Sequence, residues 1–245
     1  MKVCVIGFPR SRSSLLYETI SLFYNIPILP GERITEIING FNSNSNTYTS
    51  CHIENMIKYE LQKENLRKDG VIRIHPIQFS YSIWKEGYSR IMMNLDSYDF
   101  KHYDQIYFSF RNSISDTLAS TIVAYRLGKY TYRSKDEIFK FKKPIDTIIN
   151  RRILHDYIYS CIIYSHMKKY FDSLDIKYTE LEYNEIPKYI ESNFPNVKSN
   201  HVETNYDYKN IVKDYDKLED MYYQDKDIVV EKFYNKNTHL ERLMF

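Results

Sequence analysis

The chain has 245 residues, 43% hydrophobic and 27% charged, enough for one complete α/β domain with a sizeable core and marginal for two. Lys and Arg number 34 against 32 Asp and Glu, a net charge of +2, which argues against a general nucleic-acid binder with its basic excess. The three cysteines, Cys4, Cys51 and Cys161, are widely spaced without a CxxC pair, which argues against a disulfide framework or structural zinc and for a reducing cytoplasm.

Neither a signal peptide nor a run of about 18 apolar residues is visible, so no membrane partner is expected. The 25 tyrosines, with abundant Ile, Asn and Lys, fit an AT-biased coding sequence. Such a bias suits a low-GC bacterium, or a phage acting in the cytoplasm of its host.

Lys2-Val3-Cys4-Val5-Ile6, ended by Gly7, reads as a buried parallel strand. Ser13 to Tyr24 follows with a helical apolar pattern, and Ser11, Ser13 and Ser14 can cap its start. Further on, a helix is predicted over His52–Leu66, a strand over Val71–Ile74 and another over Arg90–Leu95. Gln105–Phe110 is a stronger strand, and Ser113–Leu127 a helix. Ile145–Phe171 reads as one long helix, Ile176-Lys177-Tyr178 as the start of a strand, and Pro187–Phe194 as a short helix. Beyond about Asn196 the chain is polar, with Asp207–Tyr223 helical. The alternation predicts a single three-layer α/β domain over residues 1–245, a central parallel sheet flanked by helices. Residues 196–245 are expected to form a helical, partly flexible extension. Ligands of such sheets bind beyond the carboxyl ends of the strands, where Gly7–Ser14, His75 and Arg111 all fall.

The segment Gly7-Phe8-Pro9-Arg10-Ser11-Arg12-Ser13-Ser14 joins a strand to a helix start. Free N–H groups and the helix dipole there favour an anion. Arg10 and Arg12 add charge, and Ser11, Ser13 and Ser14 add hydroxyl donors. Read alone, the segment fits an ordinary capped helix with two solvated arginines. It is not a Walker A loop, which needs G-x-x-x-x-G-K before Ser or Thr. Arg12 stands at the second glycine and Ser13 at the lysine. Arg111 ends the Gln105–Phe110 strand, where a magnesium-binding carboxylate would stand.

Arg111 and Ser120, nine residues apart on a strand end and the next helix, can converge on a second phosphate. Alternatively, Arg111 pairs with Asp116. His75 ends a strand at the same sheet edge, where imidazole suits proton transfer near neutral pH. His155 and His166 share a helix face and read as packing or surface.

Together these segments resemble the PAPS-dependent sulfotransferase family, whose sulfuryl donor is 3′-phosphoadenosine 5′-phosphosulfate. Pro9-Arg10-Ser11-Arg12-Ser13-Ser14 is similar to its 5′-phosphosulfate loop, and Phe110-Arg111-Asn112 to Ser120 to its 3′-phosphate motif. Arg73-Ile74-His75-Pro76 resembles its Lys-x-His segment, and Tyr178-Thr179-Glu180-Leu181 its Tyr-Glu-Asp-Leu segment. The resemblance implies a P-loop-like fold and PAPS as donor, with PAP as product and no metal. It implies His75 as base and Arg10 as charge stabiliser. The nucleotide contacts would be Arg10, Ser11, Arg12, Ser13, Ser14, Arg111, Ser120 and Tyr178. The acceptor would be a hydroxyl or amine of a small molecule, glycan or peptide. Tyr81, Trp84, Tyr88 and the Ser43–Thr49 loop are candidates for its pocket.

Three features depart from the family pattern. Arg12 replaces a glycine, the Arg111–Ser120 spacing is one residue longer than usual, and no glycine follows Gly128 to build the family's C-terminal Arg-Lys-Gly segment. Two alternatives stand beside this reading: a P-loop nucleotide kinase or other phosphotransferase, and a non-catalytic PAP- or PAPS-binding protein.

Overall fold

The computed structural model describes residues 1–8, 10–29, 69–83, 88–127, 144–145, 151–199 and 206–243. The helix predicted over His52–Leu66, the Ser43–Thr49 loop, Trp84 and the Tyr81 side chain lie outside them.

Five parallel strands form the central sheet in the order β2-β3-β1-β6-β7. They are β1 (Lys2–Gly7), β2 (Ile28–Leu29), β3 (Gly70–Ile74), β6 (Gln105–Phe110) and β7 (Thr179–Glu182). Side chains alternate across β1, and each set meets its own layer. Val3 and Val5, with Val71, Tyr107 and Leu181, pack on Leu16 and Ile20 of α1 (Ser13–Tyr24) and on Ile186 of α4 (Ile186–Asn193). Cys4 and Ile6, with Ile72, Ile74, Ile106 and Phe108, face the other layer. There stand α2 (Ile114–Leu127), α3 (Arg151–Ser173) and α6 (Leu218–Lys236). The three-layer α/β architecture is therefore as the alternation predicts.

Several boundaries differ. The strand expected over Arg90–Leu95 is β5 (Ser89–Met92), which pairs antiparallel with β4 (Ser80–Ile83) outside the main sheet. Among the described residues the long helix covers Arg151–Ser173, and Ile145 bridges to Val212 rather than being helical. β7 starts at Thr179, not Ile176. The helix expected over Asp207–Tyr223 is broken into α5 (Tyr208–Ile211), a 3-10 turn at Tyr215–Lys217, and α6. Asp214 sits between them at φ 56, a left-handed value that no continuous helix permits. Leu218, Val229, Val230 and Phe233 of α6 are buried in the core. No described helix is long and apolar enough to cross a membrane.

The topology places the site. β1 has β3 on one side and β6 on the other, so the chain reverses direction across it. Crevices at such switch points, beyond the strand carboxyl ends, are where open α/β sheets take ligands. Register sets the levels: Ile6 pairs with Ile74, Gly7 with Ser109, and Phe110 with Glu182. His75 thus stands level with Gly7, and Arg111 level with Tyr183.

Candidate functional site

Gly7 is where the chain must turn tightly under α1. A Cβ there would lie 2.4 Å from Ser13 Cβ and 2.6 Å from Ser109 Oγ. Only glycine lets the helix start approach the strand this closely. The loop that follows is bound to the sheet. Phe8 N donates to Ser109 O at 3.0 Å, Ser11 N to Phe8 O at 3.2 Å, and Ser11 Oγ to Phe8 O at 2.6 Å. Ser11 Oγ also meets Ser109 Oγ at 2.8 Å, so this fully buried hydroxyl holds the loop to β6.

Two loop residues take left-handed backbone conformations, Arg10 at φ 66 and Arg12 at φ 60. For a residue with a Cβ that conformation costs about 1–2 kcal/mol. Arg12 nonetheless adopts it where the resembled motif has glycine, and it has local compensation. Its NH1 donates to Tyr183 O at 2.8 Å, and its guanidinium carbon lies 3.8 Å from the Tyr183 ring centroid. Arg12 is the N-cap of α1 but makes no side-chain cap bond, and the first turn carries no acid. The first intrahelical bond is Leu16 N to Arg12 O. The N–H groups of Ser13, Ser14 and Leu15 therefore precede the helical ladder and point outward along the axis. Ser13 is buried, and Ser14 Oγ accepts a short hydrogen bond from Arg73 NH1.

His75 comes to the loop from β3. Its Nδ1 lies 2.6 Å from the Gly7 carbonyl. A carbonyl can only accept, so Nδ1 carries the proton and Nε2 keeps a lone pair. Burial, and then the charge of Arg73, lower the imidazole pKa to about 4, although the bond to Gly7 acts in the opposite direction. His75 is a neutral base at pH 7. The Gln78 side chain fixes its backbone, accepting from His75 N at 2.5 Å.

From β6 and α2 come Arg111 and Ser120. Arg111 NH2 pairs with Asp116 Oδ2 at 2.9 Å. Its guanidinium carbon lies 4.3 Å from the Tyr183 centroid and 5.9 Å from that of Tyr208. Partial burial works against ionising Asp116, but the hydrogen bond from Tyr215 and then the Arg111 charge hold its carboxyl below the usual range. Ser120 is 1% exposed, and its Oγ accepts from Arg10 Nε at 2.7 Å and from Tyr208 OH at 2.9 Å.

The structure therefore brings together Arg10, Ser11, Arg12, Ser13, Ser14, His75, Arg111 and Ser120. It does not bring Tyr178 to them. That ring packs on Phe108 and Phe171, and its hydroxyl donates to Asp172 at 3.0 Å. Tyr178 precedes the first residue of β7, at the amino end of the strand. Tyr183, which immediately follows β7, takes the place at the edge. Tyr208 and Tyr215, which the sequence does not single out, close the same corner.

Beside Arg111 lies a cleft of about 510 Å³ lined by Phe110, Asn112, Ser113, Asp116, Tyr183 and Asn184, among others. Its other carboxylates serve the turn after β7. Glu182 accepts from Asn184 N at 2.6 Å, and Glu185 from Glu182 N at 3.1 Å. Guanidinium, hydroxyl and N–H donors thus dominate the edge from His75 to Arg111, a set that suits an anionic ligand. Among the described residues no group of three or more His, Cys, Asp or Glu side chains could hold a metal ion. No protein-family model matches the chain, and no curated protein is detectably similar to it.

Proposed function

We propose that this chain is a sulfotransferase that binds PAPS at the carboxyl edge of β3, β1 and β6 and sulfonates an acceptor hydroxyl or amine. One observation carries the reading: three sequence-distant segments meet there. His75 Nδ1 is bonded to Gly7 O, and Arg10 Nε to Ser120 Oγ. A neutral base, an uncapped helix start and a second arginine site then lie along one edge.

The donor set fits the nucleotide's two anionic ends. Arg10 and the N–H groups of Ser13, Ser14 and Leu15 would hold the 5′ phosphosulfate. Arg111 would hold the 3′-phosphate as a planar fork, which distinguishes this ligand from ATP. Ser120 already accepts two hydrogen bonds, so its part is to position Arg10. When bound, PAPS supplies the sulfuryl group on a phosphate leaving group. His75 Nε2 accepts the acceptor's proton, while Gly7 O keeps the ring oriented through Nδ1. Arg10 and the helix N-terminus stabilise the negative charge that develops on the leaving oxygen.

Calorimetric titration with PAP, PAPS and Mg-ATP tests the reading, followed by a radiolabelled sulfuryl-transfer assay over a broad acceptor panel. PAP should bind, and Arg111→Ala should weaken it about 10- to 100-fold, the worth of a lost charge-assisted hydrogen bond. Binding of Mg-ATP alone would overturn the proposal. PAP binding without transfer to any acceptor would reduce it to a nucleotide-binding role.

A further inference from the structure

The anion loop is held in shape from across the sheet. Arg12 belongs to the β1–α1 loop and Tyr183 to the turn after β7, with β6 between the two strands. Tyr183 is itself fixed, since its N–H donates to Phe110 O at 2.8 Å. Its carbonyl accepts from Arg12 NH1, and its ring carries the guanidinium groups of both Arg12 and Arg111. Arg12 needs such support, because it stands in a left-handed conformation, φ 60 and ψ 16, at the residue that starts α1.

We infer that Tyr183 is the positioning residue of the anion site: it clamps Arg12 in the left-handed turn that starts α1 and holds the Arg111 guanidinium level with it. Arg12 is then a tether. Its NH1 and the face of its guanidinium serve Tyr183, and its backbone shapes the loop. The consequence reverses a simple charge argument. Removing Arg12 in favour of glycine should preserve the loop, because glycine enters the left-handed region without a Cβ penalty. Removing the Tyr183 ring should damage it, because Arg12 then keeps the strain and loses the stacking that offsets it, with the bond to the backbone carbonyl of residue 183 remaining. The inference rests on the proposed nucleotide site for its ligand and on geometry alone for the clamp.

The test uses four variants of the full chain: Tyr183→Phe, Tyr183→Ala, Arg12→Gly and the double variant Arg12→Gly/Tyr183→Ala. Tm is read by calorimetry, and affinity by titration with PAP and with inorganic pyrophosphate. Tyr183→Phe keeps the ring and the backbone carbonyl and should match the parent in both. Tyr183→Ala should lower Tm and weaken PAP about tenfold or more, the scale of a lost stacked guanidinium pair. Arg12→Gly should weaken PAP binding less than Tyr183→Ala does, because glycine keeps the left-handed turn without strain. In the double variant, glycine should recover both Tm and affinity relative to Tyr183→Ala. A double variant weaker than Tyr183→Ala, with the two substitutions simply adding, overturns the clamp. So does a Tyr183→Phe protein that fails like Tyr183→Ala. A parent chain that binds neither PAP nor pyrophosphate sinks the nucleotide reading, while the Tm cycle still decides the clamp.

Discussion

The proposed role of His75 as base rests on where its two nitrogens are. Nδ1–H donates to Gly7 O at 2.6 Å, and burial and Arg73 lower the pKa to about 4. The acid limb of kcat/KM for sulfuryl transfer should therefore fall near pH 4, not near the 6.5 of free imidazole. The sign follows from the role: protonation of Nε2 removes the base, and the depressed pKa delays that event. Replacing Arg73 by Met removes the second of the two lowering causes. It should move the acid limb upward by about 0.5–1 pH unit. A parent profile that breaks at pH 6.5, or one that Arg73→Met leaves unmoved, removes His75 from the role. His75→Ala should abolish transfer while PAP affinity stays within a few-fold.

His75 and Arg111 were legible because each directly follows a strand whose apolar run is easily read, and Arg10 and Arg12 because they lie in the loop between such a strand and the next helix. Tyr178 was misplaced for the same reason in reverse. Its strand begins only at Thr179, so the edge residue is Tyr183, five positions on. Tyr208 and Tyr215 carried no local signal, since their partners Ser120 and Asp116 lie about 90–100 residues away and only the fold joins them.

Among elements, the junction of β1 and α1 is the least tolerant. Gly7→Ala must push Ser13 or Ser109 away, because its Cβ would lie 2.4 and 2.6 Å from them. Overpacking of this kind costs about 1–3 kcal/mol. Here it also moves the helix start, so lost stability and weakened PAP binding should appear together in urea unfolding and in titration. A Gly7→Ala protein with parental affinity would contradict that coupling. A second junction is Asn237, wholly buried after α6. Its side chain accepts from Met92 N at 2.7 Å and donates to Arg90 O at 2.9 Å, so it acts as a neighbouring strand for β5. Asn237→Ala leaves both backbone groups of β5 buried without partners, at about 2–4 kcal/mol, and should lower the urea midpoint with the anion site unaffected. Long apolar runs made β1, β6 and α3 readable from the sequence. The two-residue β2 has no period to read, and the left-handed Asp214 that splits the C-terminal helix has no glycine or proline to announce it.

Across the whole molecule, acid sensitivity should come from histidines kept neutral. Burial is the main cause that lowers His166 to about 4, as it does His75. Geometry agrees with a neutral ring. Leu243 N donates to the Tyr234 hydroxyl oxygen at 2.9 Å, and the same hydroxyl meets His166 Nε2 at 3.0 Å, an arrangement that suits a lone pair on Nε2. Unfolding returns both rings to water and to a pKa near 6.5. Between pH 6.5 and pH 4 the unfolded chain then binds more protons than the folded one, so stability is complete above pH 6.5 and falls as pH drops through this window. Each ring contributes at most about 3 kcal/mol, and partly exposed His75 less. Unfolding free energy from urea titrations at pH 7.5, 6.0 and 5.0 should decline steadily. His166→Gln retains an acceptor for Tyr234 and removes the titration. Its decline should be shallower than the parent's by the His166 share, and an unchanged slope would mean that this imidazole is not held neutral by the fold.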